Sequence, residues 1–355
     1  MAVDVGPVLD RVPDRCDHCK RLQPSPSPRP DRPTLDDVAR AAEVSTATVS
    51  RALRRPELVN DATRQRVLAA VDRLGYRPHA GARSLAGGRT DALAVVVPDV
   101  ANPFFASVVR AVQSAAAVEG AVTLLGDSRH DPDLELDLVA RLADRADAVV
   151  ACSSVAPAVR LQRAAGGRPL VLVNRWCSGL ASVVVDQAAV VHLALGHLAG
   201  LGHRRLAWVA GPGRLWSTSQ RRRALGAAAT GLDVAVVEVG SGAATAADGD
   251  PAADGALAAG ATGIVAFNDL QALAVIAALR RRGVAVPEDV SVVGADDVDA
   301  AAVVDPPLTT VAAPTADLGH LAVALARDAL DGAAPAARTL APTLVVRRSS
   351  GPASH

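Results

Sequence analysis

Within six residues the chain carries Thr46, Ala47, Thr48, Ser50 and Arg51. Short hydroxyls and one arginine at this spacing suit hydrogen bonds to base edges and phosphate oxygens, and the Ala47 methyl suits contact with a thymine methyl. A second set, Asp99, Ser153, Asn174, Asn268 and Asp296, stands where apolar runs end. Carboxylates, amides and hydroxyls there can accept and donate the paired hydrogen bonds that a hydroxyl-rich small molecule needs. Neither set resembles a catalytic constellation. There is no G-x-S-x-G, no G-x-G-x-x-G after a strand and no dense His/Asp/Glu cluster. Asp296-Asp297 is the one carboxylate pair of note in such a loop, and ligand binding accounts for it, so no enzyme and no cofactor is expected.

The first set needs helices to present it. Thr34 with Asp37 reads as a capping-box start, and Leu35, Val38, Ala39 and Ala42 recur at helical spacing. The pattern breaks at Glu43-Val44-Ser45. Ser45 then caps a second helix, which Val44 and Val49 can pack on the first. Asn60 caps a third helix through about Leu74, with Val67, Leu68, Val71 and Leu74 expected inside, and Gly75-Tyr76-Arg77-Pro78 stops it. Two short helices alone would also suit an ordinary core, so the neighbouring residues must decide.

The second set needs strands. Ala92–Val97, Ala121–Leu125, Ala148–Cys152, Leu170–Val173, Val183–Val185, Arg205–Ala210, Val234–Val239, Gly263–Phe267 and Ser291–Val293 read as buried parallel strands with helices between them. This alternation predicts doubly wound parallel sheets in two lobes, with ligands beyond the carboxyl ends of the strands. The loops opening at Asp99, Asp127, Ser153, Asn174, Gly211, Asn268 and Asp296 are then the place for a pocket. Asp99 could either enter that pocket or cap the helix after Pro103.

Composition narrows the classes. At 355 residues the chain has room for a small headpiece and one large domain. Half of it is apolar, yet no stretch of about 18 residues lacks polar breaks, so no membrane span is indicated. Residues 1–30 are charged and end in PSPSPRP, which reads as a disordered tail rather than a secretory signal; the protein is expected in the cytoplasm. Cys16-x-x-Cys19 supplies too few ligands for a closed zinc site, so no metal is expected. Net charge is zero, which excludes a nonspecific polycation. Residues 31–90 nevertheless hold 11 arginines against 7 acidic residues, a net of +4 placed where the helix-turn-helix lies.

The runs TLDDVARAAEVSTATVSRAL, VNDATRQRVLAAVDRLGYRP and ARSLAGGRT resemble the amino-terminal headpiece of the lac-repressor (LacI/GalR) family of transcription regulators. PDVANPFFASVVRAV, VNRWCSG, VVVDQAAVVHLALGHLAGLGHRRLAWVAGP, FNDLQALAVIAALRRRGVAVPEDVSVVGADD and DPPLTTV resemble that family's effector-binding domain. The resemblance implies a small all-α helix-turn-helix headpiece at 31–77, a hinge helix and linker at 78–90, and an α/β two-lobed periplasmic-binding-protein-like domain at 91–350. One lobe falls near 91–187 plus 313–341, and the other near 188–312 plus 342–350. It also implies a homodimer, a pseudo-palindromic double-stranded operator, a sugar-like effector and action as a repressor. A solute-binding protein of the same two-lobed fold is the alternative; it predicts an export signal and no headpiece.

Site residues follow from the same resemblance. Thr34, Ser45, Thr46, Ala47, Thr48, Ser50, Arg51, Arg54, Asn60, His79, Arg83 and Leu85 fall on DNA-binding positions, with Arg54 and His79 departing from asparagines common in the family. Leu85 stands where a leucine wedges into the minor groove at the operator centre. Asp99, Phe104, Ser153, Asn174, Arg175, Trp216, Arg221, Asn268 and Asp296 fall on effector positions. Arg221 is preferred over Arg223 for the ligand arginine, and Trp216 and Trp176 are candidates to stack on a ligand.

Overall fold

A computed structural model describes residues 33–76, 89–240, 242 and 244–354. The chain divides into two compact units, Met1–Ala82 and Arg83–His355.

The first unit is a small helical bundle. Thr34 caps α1 (Leu35–Ala42) in a true capping box, its Oγ1 accepting from Asp37 N while its own N–H donates to Asp37 Oδ2. Glu43 ends the helix in the left-handed region, and Ser45 opens α2 (Thr46–Arg54) by accepting from Thr48 N at 3.1 Å. Asn60 does the same for α3 (Asp61–Leu74) through Thr63 N at 2.8 Å. Each cap satisfies an amide that the helix cannot, a contribution of about 1 kcal/mol apiece. Val38, Ala39, Ala42, Val49, Ala52, Val67 and Ala70 form the buried centre. Leu68, expected inside, is instead exposed. Ala70 takes the inward position, because a bundle of such short helices has room for only a narrow seam on α3.

The second unit holds two six-stranded sheets. The first consists of β1 (Ala92–Val97), β2 (Val122–Asp127), β3 (Ala148–Cys152), β4 (Leu170–Val173), β5 (Ala181–Val185) and β11 (Ala337–Leu340), in the order β11-β5-β4-β3-β1-β2. All its neighbouring strands are parallel. The helices α4 (Pro103–Val118), α5 (Pro132–Ala143), α6 (Ala158–Ala164) and α12 (Thr315–Leu330) accompany it. The second sheet repeats the order as β12-β10-β9-β8-β6-β7. Its strands are β6 (Arg205–Val209), β7 (Ala235–Val239), β8 (Gly263–Ala266), β9 (Ser291–Asp296), β10 (Thr309–Ala312) and β12 (Thr343–Val345). It is attended by α7 (Gln187–Gly200), α8 (Trp216–Leu232), α9 (Gly249–Ala258), α10 (Asp269–Arg281) and α11 (Asp299–Val303). The chain passes between the sheets at 186, at 313–314 and at 341–342.

Two strand expectations need correction. β2 and β7 are not buried. Each lies at one edge of its sheet, and Val122, Leu125 and Val237 lie open there. β12 runs antiparallel to β10, and neither it nor β10 and β11 was read from the sequence as a strand. Among the described residues, no helix is long and apolar enough to cross a membrane.

Candidate nucleic-acid interface and ligand cavity

In the first unit the two requirements on α2 separate by face. Val49 and Ala52 are buried, whereas Thr46, Ala47 and Arg51 are exposed, with Ala47 and Arg51 one turn apart. Ser45 and Thr48 share a hydrogen bond at 2.9 Å as well as the cap, so their hydroxyls first hold the start of the helix. Ser50 is half-buried. Thr34 and Asn60 sit at the starts of α1 and α3 as caps. Arg54 is the last residue of α2. His79, Arg83 and Leu85 lie outside the described residues.

The second unit contains a cleft beyond the carboxyl ends of the strands. Residues from both sheets line it: Asp99, Phe104, Ser153 and Asn174 from the first side, and Arg221, Asn268 and Asp296 from the second. These seven were expected from sequence, and the fold brings them together. Asp99 is a cavity residue and not the helix cap. Asn102 caps α4 through Phe104 N at 3.0 Å, while Asp99 Oδ1 accepts from Ala101 N.

Two expected residues are not in the lining. The Arg175 guanidinium is occupied by Ser154 O at 2.9 Å, Ser154 Oγ at 3.1 Å and Ala156 O at 2.6 Å, so it braces the loop after β3. Trp216 is the first residue of α8; its neighbours Leu215 and Ser217 reach the cavity and it does not. Trp176 is exposed and also absent from the wall.

Electrostatics concentrate on the second side. Arg221 is buried, donates from Nε to Gln187 Oε1 at 2.7 Å and from Nη1 to Phe267 O at 2.5 Å, and lies 4.7 Å over the Phe267 ring. Burial brings its pKa down to about 10, against the opposing charge of Asp296. Asp296 is pushed well above the usual carboxylate range by burial, then by the nearby charge of Asp269; Arg221 acts the other way. Asp269 accepts from Thr310 Oγ1 and from Val298 N, yet burial still raises it. Arg223, the rejected candidate, is exposed. Asn268 caps α10 through Gln271 N at 2.8 Å and donates to Ala244 O at 3.0 Å. Glycine is required at two places behind this wall. A Cβ at Gly211 would overlap the Phe267 ring, and one at Gly294 would overlap Asp269 Oδ1.

The backbone around the cleft is held in costly conformations. His130, Ser153, Asn174, Ala244 and Asp296 all have positive φ and all line the cavity. Each such non-glycine residue costs on the order of 1 kcal/mol or more and persists where surrounding contacts over-determine it, as at ligand sites. Sequence reasoning missed Asn102, Phe105, His130, Leu215, Ser217, Ala244, Thr245 and Phe267. One signal was available: the chain has three phenylalanines, and all three line this cavity.

An exposed polar helix face on one unit, and on the other a cleft of mixed aromatic and polar lining between two similar sheets, define a helix-turn-helix protein with a small-molecule-binding fold. A model described as bacterial regulatory proteins, lacI family, matches residues 34–79, and one described as a periplasmic binding protein-like domain matches 195–350. The transcriptional regulator GalS of Salmonella typhimurium is 35% identical over 329 residues, covering 89% of this chain and 96% of its own. The transcriptional repressor CytR of Escherichia coli is 32% identical over 309 residues, covering 84% and 90%. Among solved structures, the lac repressor dimer bound to operator and an anti-inducer superposes with a TM-score of 0.80 at 27% identity, covering 90% of this chain and 99% of that one. A CelR–cellobiose complex gives 0.66 at 31% identity, covering 90% and 100%. The chain belongs to the lacI family of bacterial regulatory proteins and is a DNA-binding transcriptional regulator.

Proposed function

We propose that the protein is a cytoplasmic, homodimeric repressor that grips a pseudo-palindromic operator and is controlled by an uncharged, hydroxyl-rich molecule in the cleft. The observation that carries this is the lining itself. Asn174, Asn268, Asp296 and Ser153 offer donors and acceptors in several directions, and Phe104, Phe105 and Phe267 offer flat apolar faces for the C–H side of a sugar. Among the described lining residues, the basic side chains Arg221 and His130 are matched by two carboxyl groups, Asp99 and Asp296, so there is no surplus positive charge to reward a phosphate. Solved complexes of similar proteins hold cellobiose and ribose, both uncharged and hydroxyl-rich.

On the DNA side, Arg51 and Thr46 read bases from α2, with Ser45, Thr48 and Ser50 beside the phosphates. Two-fold symmetry doubles that contact on a palindrome. Ligand binding shifts the population of closed sheets and thereby the DNA affinity, which requires different affinities for the two states. A gel-shift titration with DNA from upstream of the protein's own gene is the test. Binding should be sequence-selective and fall with salt, and Arg51→Ala should cost about tenfold or more in specific affinity, from a lost contact of roughly 1–3 kcal/mol. Equal affinity for that DNA and a scrambled competitor would sink the reading.

A further inference from the structure

Gln187 does not line the cleft, yet it is hydrogen-bonded to both of its sides. It is the first residue of α7, directly after the chain leaves the first sheet at Asp186, and it is almost fully buried. Its Nε2 donates to Asn174 Oδ1 at 3.2 Å and to Val185 O at 3.2 Å, and its Oε1 accepts from Arg221 Nε at 2.7 Å. The chain of bonds continues at both ends. Asn174 Nδ2 donates to Ser153 Oγ at 3.2 Å, and Arg221 Nη1 donates to Phe267 O. Four of these five residues, Ser153, Asn174, Arg221 and Phe267, form cavity wall on opposite sheets.

We propose that Gln187 is a positioning residue that ties the two halves of the cleft together, setting Asn174 and Arg221 in register for one ligand through the single amide that joins them. This rests on the reading of the cleft as an effector site. The physical reason is directional. An amide has one donating and one accepting end, so with Nε2 committed to the Asn174 carbonyl, Oε1 must face Arg221. Asn174 is thereby turned with its own donor toward Ser153, and Arg221 is held by Nε and Nη1 in one plane. Because one partner belongs to each sheet, any change in the angle between the sheets must lengthen or break a member of the chain. A ligand that bonds Asn174 and Arg221 therefore binds best at the angle Gln187 selects, and ligand affinity and sheet closure become one equilibrium.

The test uses full-length protein and calorimetric titration with uncharged sugars, beginning with ribose and cellobiose. Gln187→Met keeps the length and loses both bonds; Gln187→Glu keeps an acceptor for Arg221 and loses the donor to Asn174. For a sugar that binds the wild type, Met is expected to weaken binding by about tenfold or more and Glu by an intermediate amount, the scale of one hydrogen bond to a charged group. A merely structural role would lower the melting temperature of both variants and leave the dissociation constant of the folded protein unchanged, which would overturn the proposal. If no uncharged sugar binds the wild type, the proposed ligand class is what failed, and a second measurement decides on Gln187. The Arg221 Nε–H resonance, identified by its loss in Arg221→Lys, should exchange slowly with water in the wild type and rapidly in Gln187→Met. Equal exchange in both proteins would show that Gln187 does not hold Arg221.

Discussion

The two six-stranded sheets share a strand order but bury their polar groups differently. In the first, the buried carboxylates hold mostly main chain. Glu135 accepts from Val155 N and Ala156 N, and Asp147 accepts from Thr90 N and Asp91 N as well as the Thr90 hydroxyl. In the second, buried groups also hold main chain, as Gln271 does at Phe267 N and Ala210 O and Asp269 at Val298 N, but they hold one another's side chains across elements as well. Gln271 joins Asp248, Asp269 takes the Thr310 hydroxyl, and His203 lies between Thr262, Ser291 and the carbonyl of Gly351. Fixing main chain makes a scaffold on which loops sit. Linking side chains makes a network whose members respond together, because each unsatisfied partner costs a full desolvation penalty. Of the cleft's charged side chains, the first half contributes Asp99, and the second contributes Arg221 and Asp296, which are tied into this side-chain network.

The largest test of that difference is steric. In Gly294→Ala on β9, the new Cβ meets Asp269 and lies 2.9 Å from Leu308 Cδ2, all within packed core; the loss should be about 3 kcal/mol or more. Gly126→Ala on β2 meets only the ends of Leu142 and Leu138, nearest at 3.2 Å, and should cost less than about 1 kcal/mol. Urea unfolding of both variants reads the ratio, and comparable losses would erase the distinction.

A smaller effect should come from Asp296→Asn. The Asp296 carboxyl is raised in the folded chain, so the stability of its neutral form is fully present below the ordinary carboxylate pKa and is lost as pH rises through the folded value. Asparagine removes that loss. Melting curves between pH 4 and 8 should therefore coincide at the acid end and diverge upward, with the variant more stable at neutral pH and weaker in sugar binding. A constant gap across the range would assign Asp296 no buried charge.

The smallest effect concerns His203, with His197 beside it. Burial holds both imidazoles below their usual pKa, so the stability of the neutral form is present above about 6.5 and declines as pH falls through and below that value. Hydrogen exchange at pH 7.5 and 5.5 should show protection lost first at Ser291, Val292 and residues 349–353, which these histidines help hold, with the first sheet unaffected. Uniform loosening of both sheets would contradict the comparison, and His203→Gln should remove much of the pH dependence.

The parts that were legible in the chain share a physical property. The caps at Thr34, Ser45 and Asn60, the all-buried central strands β1, β3 and β4, and the polar residues at strand ends are set by neighbours within a few positions. What escaped depends on distant chain. Leu68 was placed inward by periodicity, but how much of α3 is covered depends on α1 and α2. Arg175 and Trp216 stand at the right loops, yet the carbonyls of Ser154 and Ala156 draw the one away, and the start of α8 gives the wall to Leu215 and Ser217 instead. β2 and β7 were read as buried like the central strands, and only the strand order makes them edges.

By itself, the sequence determined that a capped helix-turn-helix precedes a strand–helix alternation, and which polar types wait at the strand ends, because helix caps and hydrophobic periods act over a few residues. Only the tertiary structure decided which of those polar groups meet. Arg221 and Asn174 are 47 positions apart, and Gln187 joins them by sitting where the chain crosses between the sheets. Hydrogen-bond direction and burial are properties of that meeting, so the link through Gln187 has no counterpart in any local pattern.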